Sequence, residues 1–196
     1  MTGLVNELLD LGRLEAGFDT RREHVQLGNI LKYSLDVFDN QIKKKNIKLT
    51  SEVAAELPPL RANPIRIRQM IDNLVGNAIK YRIEGEPPTI ALTAVRDGDH
   101  WSFDCSDHGI GIEPQYRDRV FAVFQRLHGR GEFEGTGIGL ALCKRIVEFS
   151  GGRIWIDDPV DGIGTTVRWT LPAVAPAAPP TADEPSSREE PSASAD

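Results

Sequence analysis

The sequence predicts an α/β protein, on three observations. Long segments carry apolar residues at helical spacing, shorter segments alternate apolar and polar residues around Asp-Gly turns, and a glycine run opens directly into a helix. That run is Gly135-Thr136-Gly137-Ile138-Gly139-Leu140, and the chain around it is organised to serve it. Glycines on alternate positions let a backbone turn tightly and approach a ligand closely, because no Cβ intervenes. The following residues put Leu142, Ile146 and Val147 on one helix face and Lys144, Arg145 and Glu148 on the other. A glycine turn at a helix start gathers free N–H groups and the positive end of the helix dipole, which suits phosphate.

In chain order, residues 1–16 carry Leu4, Val5, Leu8, Leu9, Leu11 and Leu14 at helical spacing, and Gly17 is a natural stop. The apolar face is wide for so short a helix. It reads as the second half of a helical hairpin whose first half lies outside the chain, or else as a helix docked on the main domain. Residues 25–45 predict a core-facing helix through Leu27, Ile30, Leu31, Leu35, Phe38 and Ile42, with Lys43-Lys44-Lys45 at its negative end. Residues 47–53 read as a strand. Pro58-Pro59 and Asn63-Pro64 then mark a loop, with Pro64 near the first position of the next helix. That helix, 64–82, turns Ile67, Met70, Ile71, Leu74, Ala78 and Ile79 inward and places Asn73 and Asn77 on one shared face.

Strands follow at 89–96 and 101–106, joined by Asp97-Gly98-Asp99. The second ends at Asp107-His108-Gly109-Ile110-Gly111-Ile112, where a carboxylate can accept a hydrogen bond from an amino group such as that of adenine. Residues 114–124 read as a short helix. Residues 125–134, rich in charge and glycine, read as a mobile loop over a pocket. After the glycine-led helix, Gly151-Gly152 caps, and strands at 153–158 and 165–171 are joined by Asp161-Gly162. Residues 173–196 are Ala, Pro, Ser and acid without apolar periodicity, and read as a disordered tail.

Composition narrows the function. The net charge is −6, and residues 173–196 hold five acids against one Arg, so the tail carries −4 of it. The near-neutral body gives no basic footprint for nucleic acid. No apolar run reaches the roughly 20 residues a membrane helix needs, and no signal peptide is visible. Cys105 and Cys143 are isolated thiols in apolar settings, as expected of core residues in a reducing cytoplasm.

Four patterns stand in register: Asn73-x-x-x-Asn77-x-x-Lys80-Tyr81, Asp107-x-Gly109-x-Gly111, Phe121-x-x-Phe124 and Gly135-x-Gly137-x-Gly139. Together they resemble the N, G1, F and G2 boxes of the ATP-binding domain of sensor histidine kinases. The resemblance covers residues 25–172. Lys80-Tyr81-Arg82 and the run from Phe124 to Arg130 are most similar to the phytochrome-related branch, and residues 8–17 to the end of its dimerisation hairpin.

The resemblance implies a two-layer α/β sandwich of the Bergerat type, with a mixed, mostly antiparallel sheet, helices on one face and part of a helical hairpin in front. It implies domains at 1–17, 25–172 and a tail at 173–196. It further implies ATP and Mg²⁺ as cofactors. Asn77 would coordinate Mg²⁺, and Lys80 would face the phosphates. Asp107 would hold adenine, with Gly109, Gly111 and Ile112 beside it. Gly135, Thr136, Gly137, Ile138, Gly139 and Leu140 would wrap the triphosphate. Asn73, Tyr81, Arg126 and Thr166 would complete the nucleotide contacts.

His108 stands where Asn is usual, and Gly12 where Ser is usual. The related ATPases and serine kinases resemble one another in a Glu base at the position of Asn73. An Asn there favours phosphoryl transfer to histidine, whose neutral imidazole is already a nucleophile. The alternatives are a non-catalytic nucleotide-binding or dimerising remnant, and an ATPase or serine kinase of the same fold. His24, His100, His108 and His128 are the histidines, and none is followed by the acidic residue that an acceptor of this family carries. The implied partners are ATP, a histidine-bearing hairpin in trans, a response regulator and a second copy in a homodimer.

Overall fold

A computed structural model describes residues 2–17, 21–44, 48–53, 60–86, 89–127, 133, 135–159 and 162–173. Expectations for Lys45, Ile47, the Pro58-Pro59 pair, His128 and most of the loop over the pocket, Asp161 and the tail from 174 lie outside those residues.

Two layers build the domain. One is a five-stranded sheet in the order β2-β4-β5-β7-β6, formed by β2 (Lys48–Val53), β4 (Thr89–Asp97), β5 (His100–Asp107), β6 (Ile154–Asp157) and β7 (Thr165–Pro172). β2 and β4 run parallel, since α3 (Pro64–Lys80) intervenes and supplies the crossover a parallel pair requires. The other neighbours are antiparallel. The second layer is α2 (Leu27–Lys44), α3 and α4 (Gly139–Phe149), packed as α2 on α3 and α3 on α4.

Alternation along the strands decides which sheet face meets the helices. Ile90, Leu92, Trp101, Phe103, Cys105, Val167, Trp169 and Leu171 are buried, with Phe103 and Trp169 opposite each other in register and stacked at 5.3 Å between ring centres. The other face is polar. There Arg168 reaches Asp104 at 2.6 Å and Asp157 at 2.7 Å across three strands. From the helices, Ile67, Met70, Ile71, Leu74, Leu142, Cys143, Ile146 and Val147 close the core.

α3 starts where the sequence places it. Asn63 Oδ1 accepts from the Ile65 amide at 3.0 Å, and Pro64 follows at the first helical position, where its missing N–H costs nothing.

Two expectations need revision. Residues 114–124 are not one helix but two 3₁₀ turns, Pro114–Tyr116 and Arg119–Phe121. The segment is no shorter than α4, but its valines and phenylalanines have lower helix propensity than the Leu, Ala and Lys residues of α4. A second small sheet pairs β1 (Glu23–Val25) with β3 (Leu60–Ala62), and three-residue strands are too short to show a period. α1 (Thr2–Glu15) lies against α4 with Leu11 and Leu14 buried, while Leu4, Val5, Leu8 and Leu9 stay exposed. Arg66 donates to Asp10 Oδ1 at 2.9 Å and Gln69 to Asp10 Oδ2 at 3.0 Å, so α1 is also held to α3. Burial alone would raise the Asp10 carboxyl, but these hydrogen bonds and the Arg66 and Arg13 charges leave it below its ordinary value.

Two substitutions test this packing. Leu142→Ala should lower the unfolding free energy by about 2–5 kcal/mol in denaturant titrations, because the site is fully enclosed. Gly12→Ala meets nothing within 4 Å on exposed α1, and should slow amide exchange there by stabilising the helix about 1 kcal/mol.

Candidate nucleotide site

α3 and α4 lie side by side on the sheet, and the space between their facing ends and the end of β5 is a cavity of about 240 Å³. Asn73, Asn77 and Lys80 come from successive turns of α3, and Tyr81 follows them. Asp107, Gly111 and Ile112 come from the end of β5 and the loop beyond. Gly135, Thr136 and Gly137 come from the glycine loop, Gly139 and Leu140 from the first turn of α4, and Arg126 from the segment before it. No side chain caps α4, so its first amides remain available at the cavity wall.

The loop is shaped by what it touches. Gly137 has φ +74°, and a Cβ there would stand 2.9 Å from the Gln125 carbonyl. The Phe124 amide donates to the Gly137 carbonyl at 3.0 Å, with Phe124 itself at φ 63°. A bulky residue in the left-handed region is costly, and here it buys the turn that clasps the loop. A Cβ on Gly135 would lie 2.7 Å from Lys80 Nζ, which puts the ammonium directly over the loop backbone. Lys80 also sits 4.3 Å from the Tyr81 ring centre, and Tyr81 meets Phe133 at 4.9 Å. The Arg126 guanidinium donates to the Phe133 carbonyl. The cavity thus has a cationic, amide-rich end.

Its other end is Asp107, whose Oδ1 accepts the Gly109 amide at 2.8 Å. Burial pushes this carboxyl up to about 6, while the Gly109 and Thr165 backbone amides hold it from rising further. Between the ends, Leu74, Cys105, Ile112, Val120, Leu140 and Val167 give apolar walls. The site can therefore receive a flat polar ring at one end and a phosphate chain at the other.

Three predicted residues lie outside the lining. Ile138 is fully buried beneath the loop. A Cβ on Gly109 would collide with the Tyr81 carbonyl, since Gly109 bridges to Arg82, so the protein backbone takes that space. Thr166 points to the other side of β7 and bonds Ser106 at 3.0 Å, while its neighbour Thr165 lines the cavity. A period of two makes a one-residue displacement a change of face.

The structure also adds Glu7, Ile110, Gln125 and Leu127 to the lining. Glu7 comes from α1, and Thr136 Oγ1 donates to its Oε2 at 2.5 Å. Nothing in the sequence separates Glu7 from other exposed helix acids.

Comparison with known proteins agrees in one direction. A family model described as "Histidine kinase-, DNA gyrase B-, and HSP90-like ATPase" matches residues 62–175. The chain is 38% identical over 173 residues to cyanobacterial phytochrome A of Nostoc sp., covering 88% of this chain and 22% of that protein. It is 32% identical over 172 residues to the methanogenesis regulatory histidine kinase FilI of Methanothrix harundinacea, covering 88% and 19%. In structure it is similar to full-length ShkA in complex with AMPPNP, with a TM-score of 0.76 at 29% identity, covering 90% of this chain and 36% of that one. It is also similar to the catalytic domain of histidine kinase ThkA, with a TM-score of 0.68 at 25% identity, covering 79% and 99%. The chain spans about a fifth of the length of the two sequence relatives.

The Asp107 environment has a pH signature. Its folded value, about 6, lies above the ordinary 3.8, so between these values the folded state binds more protons than the unfolded one. Stability should therefore fall as pH rises from 4 to 6. Asp107→Asn should remove that slope, matching the parent at low pH and exceeding it by about 3 kcal/mol at pH 7 in denaturant titrations.

Proposed function

Since this chain belongs to the family of histidine kinase-, DNA gyrase B- and HSP90-like ATPases, we propose that it is the ATP-binding catalytic domain of a sensor histidine kinase. It would pass the γ-phosphate to a histidine presented by a separate segment. The observation that carries this is the convergence of Asn77 and Lys80 of α3, Asp107 and the glycine loop on one cavity from three separate stretches of sequence.

In this reading Asp107 accepts the adenine amino group, and the apolar walls flank the base. Lys80 and the first amides of α4 hold the phosphates. Asn77 fits a Mg²⁺ ion. The described residues include no cluster of three or more His, Cys, Asp or Glu able to hold a metal, and Mg²⁺ bound mainly by phosphates and water needs few protein ligands. When bound, that ion would offset charge on the phosphate oxygens. The chain's own contribution is position: phosphoryl transfer asks for alignment and charge balance more than for covalent chemistry.

Asn73 supports a kinase over an ATPase. Its side chain faces the cavity, with Oδ1 3.0 Å from where a Cβ on Gly139 would stand, and a neutral amide cannot take a proton from water or serine. The carboxylates in the lining are Asp107, at the opposite end, and Glu7, engaged with Thr136.

Residues 1–17 fit a portion of the phosphotransfer hairpin, 25–172 the ATP-binding domain and 173–196 an acidic tail. A response regulator as the downstream partner and a homodimer both fit the histidine-kinase reading. No helix of the described residues is long and apolar enough to cross a membrane. Cys105 and Cys143 are free and buried, which suits the reducing cytoplasm where ATP is spent.

Incubation with labelled ATP, with and without a hairpin bearing an acceptor histidine, tests the proposal. Acid-labile label should appear on the hairpin and not on the chain alone. Phosphate release by the chain should be slow, and Asn73→Glu should raise it by restoring a base. Rapid release by the parent would overturn the kinase reading.

A further inference from the structure

α1 reaches the nucleotide cavity through Glu7, a residue the proposed function leaves without a role. Its Oε2 accepts the hydroxyl hydrogen of Thr136 at 2.5 Å, and Thr136 Oγ1 accepts the Ile138 amide at 3.4 Å. The carboxylate is thereby tied to the loop that leads into α4. This is a held geometry. Asp10, one turn further along α1, is clamped by Arg66 and Gln69, and Leu11 and Leu14 are buried. The first half of α1 is different: Leu4, Val5, Leu8 and Leu9 are exposed. The helix is anchored at its C-terminal half, and its N-terminal half meets the cavity through a charged side chain.

From this geometry we infer that Glu7 is a specificity residue that reads the length of the phosphate chain. With α1 docked, its carboxylate stands at the polar end of the cavity, beside Asn73 and the glycine loop. There it competes with the terminal phosphate of a nucleoside triphosphate for Thr136. Like charges at close range in a partly desolvated cavity repel strongly. A diphosphate, lacking the terminal group, meets less of that repulsion. Docked α1 therefore favours the diphosphate, and a bound triphosphate loosens the N-terminal half of α1. Linkage makes the two effects equal and reciprocal. The inference rests on the reading that the phosphates lie toward Lys80 and the glycine loop.

Glu7→Gln separates charge from packing, because a Gln oxygen still accepts from Thr136 while the charge is gone. Calorimetry with ATP and with ADP, both in Mg²⁺, should show ATP affinity raised about fivefold or more, with ADP changed less than about twofold. Amide exchange across residues 4–9 should quicken in the parent when ATP is saturating, and respond much less in the variant. An unchanged ratio of ATP to ADP affinity would overturn the inference. So would weaker ATP binding by the variant or protection of α1 by ATP, since either would make Glu7 a helper of the triphosphate. A parent that binds neither nucleotide would sink the reading of the cavity and the latch with it, whereas normal binding with an unmoved ratio would sink the latch alone.

Discussion

The packing of α3 against α4 on the sheet is the constraint from which the site follows. Met70, Ile71 and Leu74 on one helix and Leu142, Cys143 and Ile146 on the other are buried almost completely, so neither helix can rotate without opening the core. That fixed rotation presents Asn73, Asn77 and Lys80 to the start of α4. Gly139 is small enough for the Asn73 amide to lie against it, and a Cβ there would crowd Asn73 Oδ1 at 3.0 Å. The polar side chains of the cavity are thus placed by apolar residues one or two positions away.

The sheet fixes the opposite end of the cavity. Asp107 closes β5 and pairs in register with Thr165 at the start of β7, so a strand end holds the carboxyl while backbone amides bond it. Lys80 and the uncapped turn of α4 stand at the other end, on helices that rest on the same core. Rigid elements therefore separate acceptor from cation. Among the described residues between the 3₁₀ turn Arg119–Phe121 and the glycine loop, the Phe124 amide bonds Gly137 and Arg126 bonds Phe133.

α1 adds a second layer of control. Its anchor is electrostatic as well as apolar, through Asp10, Arg66 and Gln69, and it carries a carboxylate to a cavity whose other end cap is also acidic. Placing negative charge where a polyanion is expected works against affinity, so the helix and the ligand must answer to each other.

The long periodic elements were legible in the sequence because burial imposes its period on them. The helices at Leu27–Lys44, Pro64–Lys80 and Gly139–Phe149 and the strands at Thr89–Asp97 and Thr165–Pro172 each repeat their apolar residues over several turns or pleats. The asparagine, aspartate and glycine patterns were legible too, as residue types whose chemistry is tied to spacing. What the tertiary structure alone decided involves pieces without a period or partners far apart in the chain. β1 and β3 are three residues each, and residues 114–124 have no regular repeat to read. Thr165 rather than Thr166 faces the cavity because register with β5, not local pattern, sets which side of β7 turns inward. Gly109 serves the backbone beside Tyr81 and not open space. Glu7 meets Thr136 across 129 positions of sequence, and no local propensity records a contact that exists only once α1 has docked.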